Sequence, residues 1–370
     1  MLKSYNFKLE LLSFFLILFS ILSGVKVMSQ DIHFSQYTNT PALVNPALTA
    51  AFNNLRATII YKNQWMNLTV PYKTYGATFE SKIKPGNWDK LPATNEGAFK
   101  QFYSRIAAGI SFFSDKAGDG NMGTSQVNLS FASFVPITKK NSLSFGLQGS
   151  VVQRTLDFSK LVFPDQYTGS VYDPNVNNGE NIASQNFIYP DFATGFNWSY
   201  GYSEKAAVVA SNPFKANLGA SIYHVNAPKQ KYLSGSEEKL NRKYVLHADF
   251  LIFLKGTNVA IAPSCLLQFQ GPSQEIISGM LVKYYFQEDS KYTGFIKRTT
   301  FGLGAAYRNK DALIISSLVE SGHFAVGFSY DLNISKLSYA TAKRGGPEIF
   351  IRFVTPNPFL FQSRAKYNLN

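Results

Sequence analysis

Large apolar residues alternate with small or polar ones along most of the chain. From Gln126 to Ser133, Val127, Leu129 and Phe131 alternate with Gln126, Asn128 and Ser130. From Leu143 to Val151, Leu143, Phe145, Leu147 and Val151 alternate with Ser144, Gly146, Gln148 and Ser150, and from Phe324 to Asp331 a Phe-Val-Phe-Tyr face alternates with Ala325, Gly327, Ser329 and Asp331. Period two with one apolar face is a strand pattern. Alternation and turn signals divide the chain into about fourteen segments of roughly eight to twelve residues. They start near Leu55, Lys73, Ser104, Thr124, Ser142, Phe192, Ala216, Lys243, Asn258, Ile276, Thr300, Ala312, His323 and Pro347. A soluble β-sandwich gives the same alternation. The predicted strands are longer than ordinary ones, however, and match the roughly nine to eleven residues a tilted strand needs to cross a bilayer. The expectation is all-β: a transmembrane antiparallel β-barrel of about fourteen strands, lumen on one face of the sheet and lipid on the other.

The N-terminus supplies the compartment. Lys3 and Lys8 precede an almost wholly apolar run from Leu11 to Leu22, and Val27 and Ser29 stand three and one residues before Gln30. That is the charged, apolar and small-residue order of a secretory signal peptide, with cleavage expected near Ser29. Its apolar core is short for a membrane-spanning helix, which needs roughly 20 residues. No later stretch reaches that length either, so a membrane protein built from this sequence satisfies its backbone hydrogen bonds in a closed barrel. The layout expected is a signal peptide at 1–29, an N-terminal lead-in at 30–54, the barrel at 55–354 and a tail at 355–370.

Composition agrees with a membrane setting. Aromatics are 15% of the chain and charged residues only 16%, against about 25% charged in soluble domains. The net charge of +13 would suit nucleic acid, but export sets that partner aside and favours acidic lipid headgroups or an acidic protein. The single cysteine, Cys265, allows no intrachain disulfide and reads as a small residue in the strand IAPSCLLQF.

Connection lengths give an orientation. If the first strand rises from the periplasm, the long insert from Arg154 to about Asp191 and the loop from about Asn226 to Arg242 lie outside. The short connections near Lys255–Thr257 and Glu320–Gly322 then lie on the periplasmic side. The stretch from Lys84 to Tyr103 would be a long periplasmic segment, read either as a docking element or as a miscounted strand.

Chemistry is sparse. The four histidines, His33, His224, His247 and His323, show no partner at a metal-ligand spacing on one element. No GxSxG turn marks a nucleophile, and GLGAAY at Gly302 has no strand-to-helix context for a nucleotide loop. No catalytic residue, metal site or cofactor is expected. Candidate partner-binding residues are Phe34, Tyr37, Asn45 and Pro46 in the lead-in, Trp65, Trp88 in the Lys84–Tyr103 stretch, and Arg308 with Asp311. Prolines and asparagines make the lead-in compact and irregular; it either plugs the barrel or contacts a periplasmic ring, or it merely covers the lower rim. Arg308 to Asp311 reads foremost as a hairpin turn. Tyr61, Trp65, Trp198, Tyr200 and Tyr330 read foremost as interfacial girdles.

The opening after the signal, QDIHFSQYTNTPALVNPALTA from Gln30, followed by ATIIYKNQW at Ala57–Trp65, resembles the PorP/SprF family of the Bacteroidetes type IX secretion and gliding systems. PDFATGFNWSY from Pro190, FGLGAAYRNKDAL from Phe301, VGFSYDLNISKL from Val326 and GGPEIFIRF from Gly345 extend the resemblance in order along the chain. It implies an outer-membrane barrel without enzymatic activity. The barrel would support export or surface attachment of a large secreted adhesin, or associate with periplasmic secretion components. The alternative from another class is a general diffusion pore or small-solute transporter, because fourteen strands enclose a lumen wide enough for a channel unless something fills it.

Overall fold

The computed structural model describes residues 33–68, 70–83, 106–118, 120–138, 140–157, 161–169, 171–173, 175–176, 186–201, 214–230, 239–287, 299–335 and 341–355. The expected signal peptide, the Lys84–Tyr103 stretch with Trp88, and the tail beyond Thr355 lie outside them.

Fourteen antiparallel strands close into one barrel in sequence order, and β1 seals against β14. They are β1 (Leu55–Gln64), β2 (Tyr72–Lys82), β3 (Ile106–Ala117), β4 (Met122–Pro136), β5 (Asn141–Thr155), β6 (Asn186–Tyr200) and β7 (Phe214–Tyr223). The circuit continues through β8 (Lys243–Phe253), β9 (Val259–Gln270), β10 (Ser273–Gln287), β11 (Thr299–Arg308), β12 (Ala312–Ser321), β13 (Phe324–Asn333) and β14 (Arg344–Thr355). Closure leaves no edge strand, so every strand is paired on both sides. An even strand number brings the start of β1 and the end of β14 together, with Leu55 opposite Thr355. We call this the near end, and the end carrying the β1–β2 connection the far end.

Strand starts differ most from the sequence expectation at β6. It begins at Asn186 rather than near Phe192, so part of the insert expected from Arg154 to Asp191 is strand, and β5 runs on to Thr155. Pro190 lies within this early part of β6. It is tolerated because the pairing of β6 with β7 starts only at Thr194, while on the other side β5 pairs with β6 up to Asn186. At that height Pro190 accepts from the Asn226 side chain through its carbonyl, and its missing N–H interrupts no ladder on the β7 side.

The outward face follows the predicted parity. Ile351, Ile59, Ala77, Phe112, Val127 and Val151 form one continuous row across β14, β1, β2, β3, β4 and β5. Ile59 is 67% exposed and Ile351 53%, a poor arrangement in water and the expected one in lipid. Toward the near end, Trp198, Tyr200, Phe214 and Phe250 stack in succession with ring centroids about 6 Å apart, an aromatic girdle at membrane-interface height. Leu129 lies at mid-strand on the lipid-facing parity of β4. A lysine there should lower folding stability in vesicles by about 2–4 kcal/mol. Urea titration of Leu129→Lys checks it, and a loss below 1 kcal/mol would mean this face does not meet hydrocarbon.

The inward face departs from expectation. It was read as small or polar, yet Ile60, Val152, Val245, Leu266, Ile277, Ile314, Leu318 and Phe350 all point inward and are buried. An aqueous lumen would not keep them so. The lumen has its own core because the lead-in lies inside it.

Candidate functional site

Residues 33–52 cross the lumen. The segment contains a single helical turn, α1 (Pro41–Val44), between two 3-10 turns at Tyr37–Asn39 and Pro46–Leu48. Pro41 and Pro46 start their turns at positions where a missing N–H costs nothing. The Asn45 side chain caps the last turn by accepting from Ala47 N at 2.9 Å. Short turns of this kind keep the backbone compact enough to pass between barrel walls.

Two apolar clusters glue the segment to the wall. Phe34 packs with Ile60, Leu318, Ala325 and Phe350. Tyr37 and Val44 pack with Ala193, Tyr223, Val245, Leu266, Ile277 and Ile314 from the opposite side. Burying an aromatic side chain stabilises by about 2 kcal/mol. Burial also holds the Tyr37 hydroxyl well above its ordinary pKa, so it stays neutral.

Asn45 is the centre of the seat. Its side-chain amide donates to the Phe196 carbonyl at 3.0 Å and the Ala220 carbonyl at 3.3 Å, and lies 3.1 Å from His247 Nε2. The far ring nitrogen of His247 is 3.4 Å from Asp249. Beneath it, Gly146 and Gly195 are opposite each other on β5 and β6. A Cβ on Gly195 would strike the Asn45 side chain, and one on Gly146 would overlap the Pro46 carbonyl and the Ala47 nitrogen. Ser221 Oγ donates to the Val44 carbonyl at 2.8 Å, and Tyr223 Oη to the Leu43 carbonyl at 3.0 Å.

A buried ionic cluster holds the start of the segment toward the far end. Glu348 accepts from the backbone N–H groups of Ser35 and Gln36 at 2.8 and 2.7 Å. Ser35 Oγ donates to Asp331 at 2.9 Å and accepts from Arg308 at 2.7 Å. Arg308 also reaches Asp331 at 2.9 Å and Asp311 at 3.1 Å, and its Nε lies 3.5 Å from Glu275. Lys62 donates to the His33 carbonyl at 3.2 Å and stands 3.9 Å from Asp331. At the other end of the segment Ala50 N donates to Glu80 at 2.7 Å. Arg352 joins Asn39 to Glu320, which in turn pairs with Lys283. Charges this deep persist only when paired and hydrogen-bonded, and the lead-in is part of the pairing.

The segment thus touches β1, β2 and every strand from β4 to β14, with a cavity on each side of it. The far-end cavity, of 160 Å³, is bordered by Tyr72, Asp115, Gln126, Arg154 and Lys243, and the near-end cavity, of 300 Å³, by Arg56, Asp249, Lys283 and Arg352. Tyr37 and Val44 border both.

Of the candidate residues, Phe34, Tyr37, Asn45 and Pro46 are buried against the barrel's own wall, and Arg308 holds the segment through Ser35. The hairpin turn expected at Arg308–Asp311 is present, with Lys310 at φ 59°, but the guanidinium turns into the lumen. Trp65, at φ 57° and packed edge-on to Tyr72, closes the top of β1, where its backbone N–H donates to the Gly345 carbonyl. Lys62, Glu80, Glu275, Asp331 and Glu348 were not singled out. The signal was available: each is a charge on the inward parity of a transmembrane strand. One reading is corrected. His247 and Asp249 do share one face of one strand, but among the described residues no group of three His, Cys, Asp or Glu side chains is placed to hold a metal. His33 of the lumen segment lies 3.3 Å from Glu275 of β10, and His224, just past β7, 2.9 Å from Asp191 of β6.

Residues 27–353 match the family described as type IX secretion system membrane protein PorP/SprF. The chain belongs to the PorP/SprF family. The described residues of this PorP/SprF protein form a closed antiparallel barrel. Among solved structures it is similar to the Ralstonia pickettii toluene transporter TbuX, at 10% identity and TM-score 0.46, with 85% of this chain and 92% of that one covered. A deletion mutant of TodX, a monoaromatic hydrocarbon channel, aligns at 9% identity and TM-score 0.45, covering 86% and 94%. The Acinetobacter baumannii outer membrane protein Omp33 aligns at 10% identity and TM-score 0.37, covering 82% and 98%. No curated protein matches the chain.

Proposed function

We propose that this PorP/SprF barrel is a non-enzymatic outer-membrane scaffold that supports export or surface attachment of a large adhesin-type partner of the type IX secretion and gliding machinery. It is exported through a cleaved signal at 1–29, and its near end faces the periplasm. The observation that carries this reading over an open solute pore is the lead-in seated across the lumen. A diffusion pore has no use for a lumen crossed by two apolar clusters and a buried ionic network. A scaffold does, because a filled barrel keeps the membrane sealed while its loops and rims engage partners. Trp65, Trp88 and the connection between β5 and β6 are the elements we assign to partner contact, and the buried Phe34, Tyr37, Asn45, Pro46 and Arg308, with the half-buried Asp311, to holding the lumen in the form the partner meets.

Purification in mild detergent with mass spectrometry of what accompanies the barrel tests the proposal. The expected result is co-recovery of a very large surface protein or of secretion components, with loss of that recovery when residues 157–185 are replaced by a short Gly/Ser linker. A clean monomer that conducts ions steadily in planar bilayers would overturn it.

A further inference from the structure

On the outer surface at the far end, Lys73 of β2 and Lys116 of β3 are direct cross-strand partners. Both are exposed and on the lipid-facing parity of their strands. Residues directly opposite hold their Cβ atoms roughly 5 Å apart, and like charges so placed repel. Neither lysine has a carboxylate partner among the described residues. Asp115, next to Lys116 in the chain, faces the lumen side, where it accepts from Thr74 at 2.6 Å.

The surroundings change in the order of membrane depth. The row of Asn63, Lys73, Lys116 and Gly123 lies outermost. One step toward mid-membrane the row reads Tyr61, Tyr75, Ser114, Ser125 and Gln153. The Tyr61 and Tyr75 rings are 5.0 Å apart and the two serine hydroxyls 2.9 Å apart. One step further begins the apolar row through Ile59, Ala77, Phe112 and Val127. Charge, then aromatic and hydroxyl, then hydrocarbon is the profile of a lipid molecule from headgroup to acyl chain. Lys343 and Arg344, exposed at the start of β14, extend the positive charge along the same rim.

We propose that this patch on β1–β4 binds the phosphate of an anionic membrane lipid, with Lys73 and Lys116 on the phosphate oxygens, Tyr75 and Ser114 at the glycerol or sugar level, and Phe112 and Val127 along the acyl chains. The lipid turns a repulsive lysine pair into a bridged one.

The test compares wild type with Lys73→Gln/Lys116→Gln, a pair of substitutions that removes repulsion and so spares folding. In zwitterionic phosphatidylcholine vesicles the double variant should melt at or above the wild-type temperature. In vesicles with one-fifth phosphatidylglycerol or lipid A the order should reverse, and phosphorus retained per barrel after detergent exchange should fall at least severalfold in the variant. Retention of lipid A alone would identify a phosphoglycolipid of the outer leaflet, and retention of both anionic lipids a general phosphate site. Equal phosphorus retention by variant and wild type, or an unchanged order of melting in anionic vesicles, would overturn the proposal.

Discussion

Gly146→Leu should unseat the lumen segment and make a silent barrel conduct. The inward Cβ at this position points at the Pro46–Ala47 peptide, where backbone rather than a flexible side-chain tip must yield. Asn45 cannot move aside, because its amide is tied to the carbonyls of two neighbouring strands and its oxygen caps the Pro46 turn. Overpacking a close contact costs about 1–3 kcal/mol even where side chains can repack, and here the whole seat must shift. The population with the segment displaced should therefore rise by about tenfold to a hundredfold or more. Single-channel recording in planar bilayers checks it, with frequent long openings in Gly146→Leu and rare ones in wild type. Gly149→Leu, on the lipid-facing side of the same strand, meets only ordinary contacts with Phe192 and should stay silent. Unchanged silence of Gly146→Leu, together with unchanged protease resistance of residues 33–52, would mean that the glycines do not form the seat.

Arg308→Met should loosen the same segment electrostatically while leaving the strands in place. Arg308 is the cation shared by Asp331, Glu275, Asp311 and Ser35. Its loss strands two buried carboxylates, leaving Lys62 at 3.9 Å from Asp331 and His33 at 3.3 Å from Glu275 as their nearest basic groups. Removing one partner of a buried pair costs about 3–5 kcal/mol. Far-end anchoring is where that cost falls, so hydrogen exchange at the amides of Ser35 and Gln36 should accelerate by about 10² to 10³. Exchange in mid-strand amides of β4 and β5, remote from the cluster, should not change. Neutralising the stranded acids as well, with Glu275→Gln and Asp331→Asn, should restore most of the protection. If the triple variant is no better than Arg308→Met, the effect is packing and the charge argument fails.

Both experiments address a feature only half legible in the sequence. The barrel itself was readable because lipid imposes a local rule: each strand must show hydrocarbon-compatible residues at alternate positions. Val127, Leu129 and Phe131 obey it regardless of what lies elsewhere in the chain. The strand number and most starts followed from repeated use of that rule. It failed at the start of β6, placed near Phe192 where the strand begins at Asn186; Pro190 lies in that early part, and whether its missing N–H matters depends on whether a neighbouring strand stands there to receive it. It failed again on the inward face, where Ile60, Leu266 and Phe350 blurred the alternation. These residues answer to Phe34 and Tyr37, far away in the chain, and no window around them contains the reason.

The lead-in shows the division most clearly. Its prolines and asparagines specified short turns, and its resemblance to the PorP/SprF opening specified the family. Plug, periplasmic contact and rim cover were left equal, because all three need the same compact segment. Tertiary structure decided between them by bringing Glu348, Asp331, Arg308 and Lys62 from four strands onto Ser35 and His33, and by aligning Gly146 with Gly195 beneath Asn45. By itself, then, the sequence determined the membrane-spanning strands, since alternation and turn chemistry act over a few residues. Only closure of the sheet determined what fills the barrel, since that depends on which inward positions meet across the lumen, and those pairings exist only once β1 has found β14.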